Sequence, residues 1–555
     1  MTKGVTDETA DGMSIEKIRS IIAKLRTETY RWTPVRRTYR KKPTGNPRPL
    51  GLPTWSDKLL QEVIRLILDA YYDGQFSEFS HGFRENKGCK TALESLTHHK
   101  RGWHGTKWFI EADITRCFES LDHQILLQIL GEQIKDKRVL RLIANYLSCG
   151  YLEQWRYNKT ISGCPQGGIL SPLLANLYMD KFDQYVENTL IPKYTAGKQR
   201  AYSKQYQAIV AKKHRARKQK NWVAVKKLEK LAQRLPSLDP LDPDFRRLYF
   251  CRYADDVLFG LIGNKTEAES IKSEITIYLQ NELKLQLNQE KTLITHARSE
   301  YARFLGYDIE VMHNDTKHDK SGRRSINGVI GLRVPRDRMQ KKMSQYKAKG
   351  KPIHRAERMV NSAYDIVSQF QAEFRGFVQY YMRAYNAHQM SVVKRVMELS
   401  LAKTLAGKFR TTTNKIFRRY LTTAETMDGR YKVLEVVVER EGRRSLVAQF
   451  GGIALAYDRG ADIVDVADEV PRQFLNKRSQ LIDRLLRDVC ELCGAKDTAV
   501  QMHHIRKLKD LIRKDEKCRP EWVIRMIAMR RKTLAVCTDC HCKIHSGLYD
   551  GVRVR

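Results

Sequence analysis

Two adjacent acids in an otherwise apolar stretch constrain this chain more than any other feature. They are Asp255 and Asp256, within Phe250 Cys251 Arg252 Tyr253 Ala254 Asp255 Asp256 Val257 Leu258 Phe259 Gly260. Apolar runs on both sides of a polar pair predict a β-hairpin with the acids at its turn. Neighbouring carboxylates repel and desolvate badly, so a hydrophobic hairpin keeps such a pair when a divalent cation sits on it. A bare Asp-Asp dipeptide is most often an ordinary acidic turn. Here a third acid in a matching setting reverses the odds: Asp113 ends the apolar run Trp108 Phe109 Ile110 Glu111 Ala112, and Ile114 follows before the chain turns toward a helix beginning near Leu121. Two strands that deliver carboxylates to one edge can hold two Mg²⁺ ions about 3.5–4 Å apart, which activates a 3′-hydroxyl and steadies a leaving pyrophosphate. That is polymerase chemistry.

Charge agrees with it. The 555 residues are too many for one core, and 101 Lys plus Arg stand against 63 Asp plus Glu, a net charge of +38. Such an excess on a chain with 42% hydrophobic residues argues for a polyanionic partner rather than for disorder. No apolar run approaches the roughly 20 residues that span a bilayer, so no membrane is expected. Met1 to Gly12 carries Asp7, Glu8 and Asp11 and resembles neither a signal nor a transit peptide. Eleven cysteines, four of them in two C-x2-C pairs, suit a reducing compartment with a metal site better than a disulfide framework.

In chain order, residues 13–27 are expected to form one amphipathic helix. Trp32 to Pro53 is a loop rich in cations, with Arg36, Arg37, Arg40, Lys41, Lys42 and Arg48 around a turn at Pro43 to Asn46; it can grip a triphosphate or coat a surface facing RNA. Leu59, Leu60, Val63, Ile64, Ile67 and Leu68 mark a core helix. In Gly163 Cys164 Pro165 Gln166 Gly167 Gly168, the glycines let backbone approach a base pair and Gln166 offers an amide there. Residues 193–247 carry Lys212, Lys213, Arg215, Arg217 and Lys218, which fit either a solvated helical pair or a contact with structured RNA. Long helical patterns run from Asn361 to Asn386 and from Val392 to Tyr420, and Tyr431 to Gln449 reads as a hairpin turning at Glu441 Gly442 beside Arg443 and Arg444.

Near the end, Cys490-x2-Cys493 and Cys537-x2-Cys540 have the spacing of a structural tetrahedral Zn²⁺ site. Between the pairs stands His503 His504, and His541 and His545 follow at i and i+4 on one helix face.

In combination and order, these blocks resemble the reverse transcriptases, and specifically the multifunctional proteins encoded within group II introns, over essentially the whole chain. The resemblance implies an α+β multidomain fold. Its parts are a right-hand polymerase of fingers and antiparallel palm sheet at 1–312 with the basic insertion 193–247, a helical thumb and maturase domain at 313–420, a DNA-binding or linker region at 421–484, and a ββα-metal HNH endonuclease domain at 485–555. Asp113, Asp255 and Asp256 are then the catalytic acids, with Ile114 completing the Mg²⁺ site. Lys42, Arg48, Phe118 and Gln166 contact the incoming nucleotide, Phe118 as the gate against ribonucleotides. Ser80 to Arg84 resembles a template-contacting block, and Leu287 to Thr292 and Phe304 to Tyr307 resemble the last two palm blocks. Lys403 and Lys408 of the maturase helices are expected to contact RNA backbone. By resemblance to HNH nucleases, His503, His541 and His545 hold a catalytic divalent ion and His504 deprotonates water, while Lys532 stands roughly where an asparagine is expected. The family has several dozen residues ahead of a segment like Val5 to Ser14, so a longer reading frame with an N-terminal RNA-binding element is expected.

The implied partners are host intron RNA, target DNA, deoxynucleotides and a second copy within a ribonucleoprotein, in a bacterial cytoplasm or an organelle. A splicing cofactor that binds RNA without polymerising is the competing reading; it gives no reason for three clustered acids. A retron-like enzyme is the other, and it does not explain the thumb helices and nuclease module.

Overall fold

The computed structural model describes residues 4–8, 12–40, 47–98, 102–165, 167–240, 242–318, 325–426, 429–440, 443–458, 460, 484–485, 487–496, 498–504, 522–523, 526 and 533–548. Arg247–Tyr253 and Asp256–Ile262 pair as the expected hairpin, closing with Tyr253 opposite Asp256. Trp108–Asp113 adds antiparallel to the second hairpin strand, and Leu293–His296 pairs on its far side, giving a four-stranded sheet. Side chains alternate between two cores. Ile110, Phe250, Val257 and Phe259 join a cluster with Leu174, Phe182 and Ile275, whereas Phe109, Cys251 and Leu258 join one with Leu93, Leu96 and Phe304. A sheet buried on both faces needs continuous apolar strands, which is what the sequence supplies. Gly260 is required here, because a Cβ would stand 2.6 Å from the Trp103 ring that lies over the sheet.

Helix Ser171–Tyr185 is buried along most of its length on the first core, and Lys265–Asn281, closed by an Asn264/Glu267 capping box, packs Ile271 and Ile275 beside it. The second core continues through Ala363–Tyr381 and Ser391–Lys408 into a three-stranded sheet of Leu421–Thr426, Gly429–Arg440 and Arg443–Gly451, whose Leu434, Val436 and Phe450 pack with Phe370 and Phe374. The hairpin over 431–449 is thus present with a third strand that periodicity did not reveal; its turn at Glu441 Gly442 lies outside the described residues. The basic segment forms two mutually packed helices, Lys204–Lys218 and Trp222–Arg234, with one buried residue each, Ala216 and Val225.

Several expectations change. Met13 and Ser14 belong to a strand rather than to the first helix, which is Ile15–Arg26 with Ser14 as its N-cap. The cationic loop is a hairpin, Val35–Arg40 against Arg48–Leu52. In helix Trp55–Tyr72, Leu60, Ile64 and Leu68 are buried in the large core and Leu59 packs on a smaller one, whereas Val63 and Ile67 are 46% and 65% exposed, because seven apolar residues in the ten from Leu59 to Leu68 are more than one buried face can cover. The pattern over 392–420 divides into Ser391–Lys408 and Thr413–Tyr420 around the left-handed Arg410, with Thr412 capping the second helix. Lys403 and Lys408 donate to the carbonyls of Pro352 and Met359, contacts that do not bear on the RNA contact expected of them.

At the C-terminus, Val500–His504 pairs with Thr533–Cys537, and helix Thr538–His545 follows. The outer edge of this pair is taken by Met13–Ser14, with Met13 opposite Met502. Met13, Leu485, Val500, Met502 and Ala535 form a small core against Ile15, Ile18, Trp55 and Leu59. The two ends of the chain therefore share one sheet.

Candidate active site and metal centres

The three acids meet at one end of the four-stranded sheet. Register sets Asp113 directly opposite Asp256, and Asp255 sits on the turn between the hairpin strands. That turn depends on Ala254 in the left-handed region (φ 56°), unusual for a residue with a Cβ. Gly82 explains how it is packed: a Cβ there would stand 2.5 Å from the Ala254 nitrogen, so the Ser80–Arg84 segment lies flat against the turn. Asp256 is exposed at the end of the sheet. Even so, loss of hydration among the surrounding atoms, then the like charges of Asp255 and Asp113, push its carboxyl up to about 6. A cluster so strained by its own charge suits a divalent cation.

Ile114 is buried, with its main chain bridged to Leu287, so only its carbonyl could serve a metal. The Leu287–Thr292 block arrives beside it: Asn288 N–H donates to the Asp113 carbonyl, and Lys291 Nζ lies 3.1 Å from Asp113 Oδ2. Lys291 was not singled out in the sequence. Its signal was a cation inside a block that resembles one of the last palm blocks of the family.

Phe118 packs edge to face on Phe83, ring centroids 6.2 Å apart, and both border a crevice with Ala175, Met179 and Asp255. Its carbonyl accepts from Cys164 N–H at 2.8 Å, which docks the glycine loop onto it. A Cβ on Gly167 would fall 2.6 Å from the Gly51 carbonyl, so the same loop touches the cationic hairpin. A cavity of about 240 Å³ lies among Arg37, Gly51, Glu119, Tyr151, Lys159 and Cys164. Lys42 and Gln166 lie outside the described residues, and Arg48 is placed only as main chain in the hairpin. His81 is buried on Thr91 Oγ1 at 2.9 Å, and burial above all lowers its pKa to about 3, so it is a neutral core residue. Adjoining the Phe118 crevice at Phe83, Ala254 and Asp255 is a cleft of about 470 Å³ lined also by Tyr253, Asp256, Arg338, Tyr380 and Tyr381. Tyr380 and Tyr381 donate to the carbonyls of Leu305 and Gly306, tying the long helix to the Phe304–Tyr307 turn.

The second and third centres lie together at the C-terminus. One ligand atom from each of Cys490, Cys493, Cys537 and Cys540 falls within 4.8 Å of the others, and the N–H groups of Cys493 and Cys540 point at the sulfurs of Cys490 and Cys537. The donor set fits a structural zinc ion. His503, His541 and His545 likewise bring one nitrogen each within 4.8 Å, the strand supplying the first and one helix face the others. His504, next along the strand and opposite Thr533, stands outside that group of three. Lys532 lies outside the described residues. Gly12 borders the histidines, since a Cβ there would be 3.7 Å from His541 Cε1.

Three carboxylates on a two-sided sheet, a tethered long helix and a compact thiolate and imidazole module define a nucleic-acid polymerase joined to a metal-dependent nuclease. Residues 39–309 match the family Reverse transcriptase (RNA-dependent DNA polymerase), 335–442 match Type II intron maturase, and 490–541 match AI2M/AI1M-like, HNH endonuclease. The chain is 37% identical over 563 residues to the group II intron-encoded protein LtrA of Lactococcus lactis subsp. cremoris, covering 97% of this chain and 90% of that one. It is 30% identical to the putative COX1/OXI3 intron 1 protein of Saccharomyces cerevisiae, over 99% of this chain and 66% of the relative. The chain belongs to the group II intron-encoded proteins, and it is a reverse transcriptase, an intron maturase and an HNH endonuclease in one polypeptide. No helix among the described residues is long and apolar enough to cross a membrane.

Proposed function

We propose that the protein binds its host intron RNA, nicks a target DNA, and copies the RNA from the 3′-end so made. In this reading, residues 1–312 are fingers and palm, 313–420 thumb and maturase, 421–484 the DNA-binding or linker region, and 485–555 the ββα-metal nuclease. Asp113, Asp255 and Asp256 hold two Mg²⁺ ions, with the Ile114 carbonyl completing the site. Bound there, the ions supply the charge that stabilises the attacking 3′-oxygen and the leaving pyrophosphate. Phe118 fills the space of a ribose 2′-hydroxyl, and Lys42, Arg48 and Gln166 orient the deoxynucleotide. The cleft beside Tyr380 and Tyr381 takes the primer strand. In the nuclease, Cys490, Cys493, Cys537 and Cys540 hold structural zinc, His503, His541 and His545 hold a second divalent ion, and His504 accepts the proton of the attacking water. The working form is a ribonucleoprotein with a second copy of the chain, in a bacterial cytoplasm or an organelle.

The observation that carries the reading is the register that sets Asp113 against Asp256 with Asp255 on the adjoining turn. Its test is a reaction with purified protein, intron RNA, deoxynucleotides, Mg²⁺ and double-stranded target. A cDNA covalently joined to the nicked strand is expected; nicked DNA without joined cDNA would refute target priming.

A further inference from the structure

Behind the catalytic turn lies a buried guanidinium that the mechanism above does not use. Arg252 is 0% exposed, and alternation along its strand turns it toward helix Ser171–Tyr185. An arginine has five N–H donors, and here each has an acceptor. Nε and one Nη2 hydrogen go to the two oxygens of the buried Asp183, at 2.7 and 2.6 Å. The other Nη2 hydrogen goes to Ser80 Oγ at 2.8 Å, and Nη1 donates to Asn176 Oδ1 at 3.2 Å and to the Ala254 carbonyl at 3.0 Å. Ser80 and Arg252 are also bridged through main chain: Arg252 N–H donates to the Phe79 carbonyl, and His81 N–H to that of Arg252. Asn176 closes the ring by donating to the Gly82 carbonyl at 2.8 Å.

Buried ion pairs are weak devices for stability, because desolvation offsets most of their attraction and apolar residues of equal volume often do as well. Their value lies in geometry. The contact that gives this pair a purpose is the one to Ala254, whose left-handed conformation makes the turn that carries Asp255 and returns the chain to Asp256, opposite Asp113 in the sheet.

We propose that Arg252, held by Asp183, is a positioning residue of the polymerase: it locks the Ala254 carbonyl and so the left-handed turn, and thereby sets the spacing of the three carboxylates. The inference rests on Asp113, Asp255 and Asp256 being the metal-holding acids. An Asp255→Ala control keeps the two apart: if that variant still polymerises, the site reading fails, whereas Arg252 variants test only the brace.

The experiment uses full-length Arg252→Lys and the double variant Arg252→Met with Asp183→Leu, each assembled with intron RNA. Arg252→Lys keeps the charge but cannot serve five acceptors; the double variant fills the same volume without a charge to desolvate. Thermal stability, target nicking and primer extension are measured, the last over a Mg²⁺ titration. The double variant is expected to melt and nick like the parent. Its maximal extension rate should fall about a hundredfold, the scale of a misplacement near 1 Å, with a severalfold higher Mg²⁺ concentration at half-maximal rate and a nearly unchanged KM for deoxynucleotide. Arg252→Lys should show the same split wherever it folds. Parental rate and Mg²⁺ dependence in a stable double variant would overturn the proposal. So would a loss in Arg252→Lys that tracks lost stability and lost nicking and is restored in the double variant, since that is an ordinary core pair.

Discussion

The polymerase sheet and the C-terminal module both gather metal-binding side chains, but they support them differently. The sheet is covered on both faces by large apolar clusters, and its acids stand at one end of a scaffold complete without them. The module's own cluster is small, and two of its members, Cys490 and Cys540, belong to the four-cysteine group that could hold a metal ion. Its second apolar strip borrows Met13, Ile15 and Trp55 from the other end of the chain. Where the core is large, the protein places the candidate ligands by itself and a metal there would serve only chemistry. Where it is small, the candidate ligands are part of the core, and metal binding would become folding free energy.

Zinc removal should break this comparison most visibly. Structural zinc contributes on the order of 10–16 kcal/mol to small domains, so Cys490→Ser or strong chelation should unfold the module, release zinc and end nicking. Extension of a supplied primer, once Mg²⁺ is restored, should stay at the parental level. Loss of extension together with nicking would mean that the polymerase also folds on zinc. The converse change strikes the sheet: Phe259→Ala removes a fully buried ring packed on Phe182 and Phe250, at a cost of about 3–5 kcal/mol. Calorimetry should show the main transition lowered while zinc content is unchanged; an unshifted transition would show that the sheet is not the main support. A smaller effect, about 2 kcal/mol, is expected for Met13→Ala, which thins the shared strip without touching any metal ligand. The module should be cleaved more readily by protease yet retain its zinc. Parental protease resistance would show that the module stands alone.

The chemistry was legible because it is local. Asp255 and Asp256 betray themselves by flanking strands, the cysteines by C-x2-C spacing, and His541 and His545 by a helical step, each within about ten residues. What escaped depends on partners far away in sequence. Nothing near Met13 announces that it pairs with Met502, and nothing around Leu421 announces a strand, since its partner decides it. The exposure of Val63 and Ile67 follows from which apolar stripe the core reaches, which a helical period alone cannot rank. Lys291 and Arg252 carry no local signal of a role until the fold brings Asp113 to one and Asp183 to the other.

The central claim is that one chain carries two chemically separate metal-dependent sites, and it is tested most directly by a reciprocal pair of variants on one target DNA. Parent, Asp255→Ala and His504→Ala are each assembled with intron RNA, and nicking and cDNA synthesis are quantified, the latter both from the nick and from a supplied primer. Asp255→Ala should nick like the parent and make no cDNA from either end, while His504→Ala should leave the target intact, keep its zinc and extend the supplied primer normally. Parental nicking by His504→Ala would make the module a DNA-binding zinc domain with no water-activating base at that position, and undiminished extension by Asp255→Ala would remove the polymerase site from the end of the sheet.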